Sequence, residues 1–233
     1  MANPNDCSIL LPDLIGCCSF VVGCNPEYES VSVETGAWLS SHDIRYDESI
    51  EKYNLWSALT FPHISRARLR EACDVWTLLF LADDIMDSTV VFGFHHREKR
   101  ELFKNMNDCL QPTGSFKPLT PFASALHDWW QRVLANATDG SQQRLIDTYQ
   151  RSNEASLRQA IDRKGPQTVP DLDTYIHARR DTSYGRVICS FVEYSLDLNI
   201  PDECWSNETF KQLVDYTTDA AAWTNVGQID VHL

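Results

Sequence analysis

The fold is decided by the stretch Val75 to Ser88, VWTLLFLADDIMDS, in which a long apolar run ends abruptly in three aspartates. The segment opens at Ser65, shortly after Pro62, and is rich in Leu, Ala and Arg. A run of this length and composition predicts a helix that is buried on most of its circumference. We therefore expect a core helix with a cluster of acids at its C-terminal end.

The three aspartates of this helix do not all point the same way. Asp83 and Asp87 share one face, about 5.4 Å apart along the axis, whereas Asp84 is turned by about 100°. Because the C-terminal end of a helix dipole repels negative charge, a compensating cation is expected. Mg²⁺ is the natural candidate, since it takes hard oxygen ligands and is usually held by one or two carboxylates together with substrate phosphates.

The motif D-D-x-x-D alone is equally compatible with a solvated acidic helix end. Trp76, Leu79 and Phe80 lie on the face of Asp83, one to two turns before the acids. This apolar and aromatic face favours the metal site, with these three side chains lining a substrate cavity. Ordinary core packing is the alternative for each of the aromatic residues.

Composition limits the classes of partner. A chain of 233 residues is long enough for one domain, residues 1–233, with a substantial core. Its formal charge of -13, from 33 acids and 20 bases, argues against nucleic acid or an anionic membrane as the main partner. An anionic substrate would need metal ions to bridge it to the carboxylates.

Several features predict a cytoplasmic protein without a membrane span. No run of eighteen apolar residues occurs. The apolar segment Ser8 to Cys24 carries Pro12 and Asp13 and lacks a preceding basic region, so we do not expect a signal peptide. The eight cysteines are irregularly spaced, which favours reduced thiols over disulfides.

Helical periodicity dominates the whole chain and predicts an all-α fold. After a predicted N-terminal arm, the expected helices are residues 31–41, the acidic helix, 95–110, one starting near Pro121, 141–163, 172–198 and one opening at Pro201. The predicted apolar face of the last helix consists of Phe210, Leu213, Val214, Thr217 and Ala221. Gly185 interrupts the pattern of the helix over 172–198, which predicts a break or kink there. Arg179 and Arg180 precede this break, and on their own they are equally compatible with a surface pair.

The stretch FPHISRARLREACDVWTLLFLADDIMD resembles the metal-binding helix of class I terpene synthases, specifically of fungal sesquiterpene cyclases. LPDL at residues 11–14, Asn25-Pro26, Trp38, TPFASALHDWWQRV and YIHARRDTS extend the resemblance over most of the chain. The resemblance implies an all-α class I terpenoid synthase bundle that binds a linear isoprenoid diphosphate through Mg²⁺. It also implies that Asp83, Asp84 and Asp87 form the metal site.

The resemblance further implies that an arginine near the helix break contacts the diphosphate, which makes Arg179 and Arg180 the catalytic candidates beside Asp83. Bidentate recognition of phosphate oxygens by a guanidinium group is the physical reason. Tyr184 occupies the position of the family's usual small residue, so the choice between the two arginines stays open.

The family's second metal motif, N-D-x-x-S-x-x-x-E, is incomplete in this sequence. Asn225 stands 46 residues after Arg179, a spacing similar to the family's, but Val226 and Ile229 replace the expected Asp and Ser. Asn225 is therefore the remaining candidate ligand of this second site. We expect a bundle that lacks the last helices of the family fold, because the sequence ends at Leu233.

The resemblance implies a terpene cyclase that ionises farnesyl diphosphate and cyclises it with release of diphosphate. A chain-elongating prenyltransferase is the weaker alternative, because a second D-D-x-x-D is absent from the sequence. An inactive remnant of a cyclase is the third interpretation, and the departures after Asn225 motivate it.

Overall fold

The acidic stretch lies on a core helix, as the sequence predicts. In a computed structural model of the protein, this helix, α4, spans Arg66–Asp87. Ser65 precedes it, and its hydroxyl accepts a hydrogen bond of 3.4 Å from the Arg68 amide. Val75, Trp76 and Leu78 are at most 4% exposed. The apolar run is therefore buried, and the chain around it forms the walls of a helical bundle.

The structure describes residues 19, 21–87, 96–110, 116–162 and 171–229, without the side chains of 86–87, 96–99, 160–162 and 224–229. Within these ranges the regular secondary structure is entirely helical, which confirms the predicted all-α class. Besides α4, the helices are α1 (Tyr28–Ser41), α2 (Glu48–Glu51), α3 (Tyr53–Thr60), α5 (His96–Asp108), α6 (Pro121–Leu134), α7 (Asp139–Asp162), α8 (Leu172–Thr182), α9 (Gly185–Ser195), α10 (Asp202–Ser206) and α11 (Glu208–Ile229).

One half of the bundle is built around α4, which packs against α1, α3 and α6. Asp74 of α4 is fully buried and holds three of these helices together. Its carboxylate accepts from the Thr35 hydroxyl of α1 at 2.8 Å and lies 2.8 Å from the Arg132 guanidinium of α6. A buried carboxylate is tolerated only when it is paired and hydrogen-bonded in this way.

The chain before α1 is tied to the connection between α3 and α4. The side-chain amide of Asn25 donates to the carbonyl oxygens of Phe61 and Ile64, at 3.2 and 3.0 Å. Its backbone amide donates to the Ala58 carbonyl at 3.1 Å. Asn25 is 2% exposed, so these bonds replace the water that the buried amide would otherwise need.

The other half of the bundle consists of α7 packed against α5, α8 and α9, with α11 on the outer side of α8 and α9. Glu193 of α9 is 1% exposed, and both of its carboxylate oxygens accept from Arg144 of α7, at 2.7 and 2.8 Å. The two halves meet where Phe191 of α9 contacts Trp76 of α4, with ring centroids 6.3 Å apart.

Two predicted helices are each divided in the structure. The segment predicted as 172–198 forms α8 and α9, with the break at Ser183 and Tyr184. The helix expected to open at Pro201 forms the short α10 and then α11. Asn207 separates α10 from α11 because its side-chain oxygen accepts from the Thr209 amide at 2.9 Å, which caps the new helix.

The predicted apolar face of α11 is wrong by roughly one residue, or about 100°. Leu213 was expected on the buried side but is 58% exposed, whereas Thr218 and Ala222 are 1% and 3% exposed. Asp219 and Asp215 lie on the same face as Thr218 and are paired with Arg180 of α8 and Arg186 of α9. The face of α11 that packs against the bundle is therefore partly charged. A search for an apolar stripe could not identify such a face.

The N-terminal arm predicted before α1 lies, up to residue 18, outside the described residues, as do Cys7, Cys17 and Cys18. The cysteines at positions 24, 73, 109, 189 and 204 are free thiols. Among the helices that the structure describes, none combines the length and apolar character needed to cross a bilayer.

Candidate active site

The acids that end α4 lie at the rim of the bundle. The side chains of Asp83 and Asp84 are exposed, in contrast to the buried residues one to three turns earlier. Asp87 is the last residue of α4, and its side chain lies outside the described part of the chain. The structure therefore describes two neighbouring carboxylates of the predicted metal motif.

Asp84 is oriented toward α3. The Tyr53 hydroxyl donates a hydrogen bond of 2.6 Å to Oδ2 of Asp84. The Tyr53 ring lies between Tyr46 and Phe80, with centroid distances of 6.0 and 4.9 Å. Burial raises the pKa of Tyr53 and the bond to Asp84 raises it further, so the phenol remains a proton donor.

The charge of Asp83 acts on the break between α8 and α9. Burial raises the pKa of Tyr184 at this break, and the negative charge of Asp83 contributes to the rise. The Tyr184 hydroxyl donates to the side-chain oxygen of Asn153 in α7, at 2.5 Å. Asn153 in turn donates to Asn107 of α5 at 2.7 Å. The aspartate end of α4, the break and α7 therefore converge in one region.

A close contact with α11 explains the glycine at position 185, directly after the break. A Cβ atom at Gly185 would lie 2.6 Å from Cγ2 of Thr218 in α11, closer than real Cβ atoms approach. Tyr184 adopts a left-handed conformation with φ of 56°, which is unusual for a bulky residue. Strained backbone of this kind clusters at functional sites.

The two arginines before the break have different surroundings. Nε and Nη2 of Arg180 each donate to the Asp219 carboxylate at 2.7 Å, and Nη1 donates to Asp215 at 3.3 Å. The guanidinium group of Arg180 is thus engaged by α11. Arg179 lies one residue earlier, about 100° round the helix, and is half-buried.

The predicted cavity residues are not all in one place. Trp76 lines an apolar cavity of about 10 Å³ together with Trp130, Tyr149 and Phe191 among others. That volume corresponds to about one water molecule, so the cavity does not hold an isoprenoid chain.

Leu79 is 7% exposed and is absent from the wall of this cavity, as is Phe80. The Phe80 ring instead packs against Trp56 of α3, with centroids 5.1 Å apart.

The family is established by comparison with known proteins. The model of terpene synthase family 2, C-terminal metal binding, matches residues 74–226, which are 153 of the 233 residues. The chain belongs to this terpene synthase family. The match begins within α4 and ends within α11, so it includes the aspartates, the helix break and Asn225.

Fungal relatives of this terpene synthase chain are named sesquiterpene synthases. Sesquiterpene synthase 1 of Postia placenta is 29% identical over 222 residues, which cover 93% of this chain and 64% of the relative. Alpha-muurolene synthase of Coprinopsis cinerea is 30% identical over 232 residues, which cover 94% of this chain and 53% of the relative. The chain therefore spans between about half and two thirds of the length of these relatives.

Solved structures confirm the predicted fold. Germacradien-4-ol synthase from Streptomyces citricolor superposes with a TM-score of 0.77 at 21% identity, over 91% of this chain and 72% of that one. The structure titled a-eudesmol synthase also gives 0.77, at 20% identity, over 89% of this chain and 70% of that one. The terpene synthase chain thus has the helical bundle of class I terpenoid synthases.

The donor set at the end of α4 fits a hard divalent cation. Carboxylate oxygens of Asp83 and Asp84 are exposed at one rim, and such oxygens are the ligands that Mg²⁺ prefers. Within the described side chains, no group of three or more His, Cys, Asp and Glu residues is arranged to hold a metal ion. Two predicted ligands, Asp87 and Asn225, have side chains outside that description, so both remain predictions.

Several residues around the site were not identified from the sequence. Tyr53 and Asn153 carry no motif, because their roles arise only from contacts across the bundle. Asp215 and Asp219 are spaced by four residues, which places them on one face of a helix. That spacing, opposite the predicted arginines, is the one sequence signal that could have indicated their pairing.

Proposed function

We propose that this chain carries the site of a Mg²⁺-dependent sesquiterpene cyclase, which ionises farnesyl diphosphate, cyclises the allylic cation and releases diphosphate. The observation that carries the proposal is the convergence of the Asp83 end of α4 with the broken helix α8–α9 in a terpene synthase fold. The names of the fungal relatives support the substrate class.

In this proposal Asp83 is the principal metal ligand. Its carboxylate is exposed and its charge acts on Tyr184 at the break, whereas Asp84 is held toward α3 by Tyr53. Asp87 follows Asp83 by one turn and is the expected second ligand, and Asn225 belongs to a second metal position. Bound Mg²⁺ supplies charge neutralisation of the diphosphate and polarisation of the allylic C–O bond.

Arg179 is the proposed diphosphate contact, because it precedes Asn225 by 46 residues, a spacing similar to the family's. A guanidinium group can donate two parallel hydrogen bonds to phosphate oxygens, which favours departure of the diphosphate over its return. Arg179 would orient the leaving group toward the aspartates, so that the hydrocarbon chain enters the bundle first.

The aromatic interior suits a cationic intermediate. Faces of Trp and Phe stabilise nearby positive charge by about 0.5 to 2 kcal/mol per contact. Trp76 borders the small apolar cavity, which we propose is the floor of the substrate chamber, with Leu79 and Phe80 closer to the aspartates. The chamber must extend from this floor toward Asp83, because about 10 Å³ is too small for fifteen carbons.

The test is incubation of the purified 233-residue chain with farnesyl diphosphate and Mg²⁺, followed by gas chromatography and mass spectrometry. A terpene hydrocarbon or alcohol that disappears with EDTA and with Asp83→Asn supports both the reaction and the site. A product that survives either treatment contradicts the assigned metal site. Elongated diphosphates formed with added isopentenyl diphosphate would favour the prenyltransferase alternative.

If this chain gives no product, a second protein is tested under the same conditions. In the second protein, a family-like C-terminal segment replaces the sequence after Asn225. Product from that protein alone supports the site and makes the 233-residue chain an inactive form. Absence of product from both proteins overturns the proposal.

A further inference from the structure

One carboxylate of α11 bonds to both sides of the helix break. Oδ2 of Asp215 accepts from Arg180, in the last turn of α8, at 3.3 Å. Oδ1 of the same residue accepts from Arg186, in the first turn of α9, at 2.6 Å. Asp215 therefore links two helices that the chain itself connects only through Ser183 and Tyr184.

Further ion pairs extend this link. Asp219 takes two bonds from Arg180, and Asp181 accepts from Arg186 and lies 2.9 Å from Arg151 of α7. The Asp215, Asp219, Arg180 and Arg186 side chains are between 18% and 28% exposed, so water competes only partly for these bonds. Among the described residues, the network joins three acids and three bases: Asp181, Asp215, Asp219, Arg151, Arg180 and Arg186.

Steric contact reinforces the same junction. Thr218 lies between Asp215 and Asp219 on one face of α11, and its side chain occupies the space that a Cβ of Gly185 would need. The first residue of α9 therefore touches α11 at the point where the two arginines are bound. Translation or rotation of α11 would break the ion pairs and this contact together.

We propose that Asp215 is a positioning residue that fixes the two arms of the helix break against α11. Arg179, the proposed diphosphate contact, directly precedes Arg180, and Asn225 lies on the same helix as Asp215. The link therefore sets the position of the diphosphate contact relative to the second metal position. This inference rests on the proposed function for its catalytic meaning, whereas the mechanical role of Asp215 does not depend on it.

The experiment compares the wild-type 233-residue chain with Asp215→Asn, which keeps the size of the side chain and removes its charge. The matched control is Glu208→Gln on the same helix, where an exposed carboxylate pairs only with Lys211 in the described structure. Hydrogen–deuterium exchange is measured on peptides covering residues 179–190. Binding of inorganic diphosphate in the presence of Mg²⁺ is measured by calorimetry.

We expect exchange across the break to be about tenfold faster in Asp215→Asn, because the break opens more often. The affinity for inorganic diphosphate should fall about tenfold, and Glu208→Gln should match the wild type in both measurements. Unchanged exchange at the break in a folded Asp215→Asn chain overturns the inference. Faster exchange with unchanged diphosphate affinity overturns the catalytic part of it.

Arg186→Gln provides a second measurement if Asp215→Asn is too unstable to study, because it removes the bond to Asp215 from the side of α9. We expect faster exchange across residues 179–190 in Arg186→Gln than in the wild type. Unchanged exchange there in a folded Arg186→Gln chain would overturn the inference. If the wild-type chain does not bind diphosphate, exchange still decides the role of Asp215, and the affinity comparison is made in the protein that carries the family-like C-terminal segment after Asn225. Absence of diphosphate binding by that protein as well would count against the proposed function and not against the mechanical role of Asp215.

Discussion

The phenol of Tyr53 holds the second aspartate of the acidic motif, through a hydrogen bond of 2.6 Å from its hydroxyl to Oδ2 of Asp84. Two adjacent carboxylates on a helix diverge by about 100°, so both cannot face one ligand equally. The bond to α3 orients Asp84 away from the face of Asp83. The two aspartates therefore have different surroundings: the charge of Asp83 acts on Tyr184 at the helix break, and Asp84 is bonded to the neighbouring helix.

Removal of the hydrogen bond between Tyr53 and Asp84 should lower the affinity of the proposed site for Mg²⁺ without abolishing binding. Tyr53→Phe keeps the ring against Phe80 and loses the donor to Asp84, a bond worth about 0.5–1.5 kcal/mol. We expect the Mg²⁺ concentration for half-maximal turnover to rise about two- to tenfold. Tyr28→Phe is the control, because its hydroxyl donates to Glu48, at 2.7 Å. Identical Mg²⁺ titrations for wild type and Tyr53→Phe would exclude the role of Tyr53.

Neutralisation of Asp83 should have a larger effect than neutralisation of Asp84. We expect Asp83→Asn to abolish turnover of farnesyl diphosphate and Asp84→Asn to reduce it only in part. Turnover is measured in the 233-residue chain or, if that chain is inactive, in the protein with the family-like C-terminal segment. The Asp83 side chain is exposed, so Asp83→Asn should change the free energy of unfolding by no more than about 0.5 kcal/mol. Appreciable cyclisation by Asp83→Asn would refute its role as principal ligand.

Truncation of Phe80 should alter the products more than substrate binding. The ring packs against Tyr53 and Trp56 beside the aspartates, where a cyclising cation would contact it. We expect Phe80→Ala to change the ratio of sesquiterpenes in gas chromatography, with KM within a few-fold of wild type. Phe122→Ala, a half-buried residue of α6, controls for general loosening of the bundle. An unchanged product profile would exclude Phe80 from the wall of the proposed substrate chamber.

The sequence was sufficient for the features that depend on local pattern. The apolar run before Asp83 predicted α4 as a buried helix, because burial and length are local properties of that segment. Gly185 predicted a break, and the structure contains one there. The family resemblance predicted the bundle that the comparisons confirm.

The contacts around the site could not be predicted, because they join residues far apart in the sequence. Arg180 and Asp219 are 39 positions apart, and Tyr53 and Asp84 are 31 apart. Periodicity identifies an apolar stripe, but the packed face of α11 is partly charged, so the predicted face was displaced. The reason for Gly185 is likewise a tertiary contact, since only the structure brings Thr218 beside it.

Addition of a methyl group at this contact should destabilise the protein. Gly185→Ala places a Cβ 2.6 Å from Thr218, and overpacking of this kind typically costs about 1–3 kcal/mol. Gly36 of α1 is the matched helical control, because no atom lies within 4 Å of its added Cβ. Gly36→Ala should therefore stabilise the helix by about 0.5–1 kcal/mol. Chemical denaturation measures both changes.

Partial rescue would identify the clash as the cause. Thr218→Ala removes the methyl and hydroxyl groups nearest to the new Cβ, so the double variant should be more stable than Gly185→Ala alone. A Gly185→Ala protein as stable as the wild type would show that α9 and α11 adjust freely, and would contradict the tight junction.

The ion pair between Arg180 and Asp219 should make the free energy of unfolding depend on pH in the acidic range. The two hydrogen bonds from Arg180 lower the pKa of Asp219 below its usual 3.8. As the pH falls below about 4, the unfolded carboxyl binds a proton before the folded one does, so stability is lost through this window. At pH 7 the pair is intact, and we expect Asp219→Asn to lower the free energy of unfolding by about 1–2 kcal/mol.

The difference between wild type and Asp219→Asn should then shrink as the pH falls through the folded-state pKa, because protonation removes from the wild type the charge that the variant already lacks. Urea denaturation at a series of pH values from 7 to about 2.5 measures this convergence. Glu208→Gln should differ from the wild type by no more than about 0.5 kcal/mol at each pH, since its pair with Lys211 is exposed. A constant difference across the series would show that Asp219 stabilises α11 through packing and not through its charge.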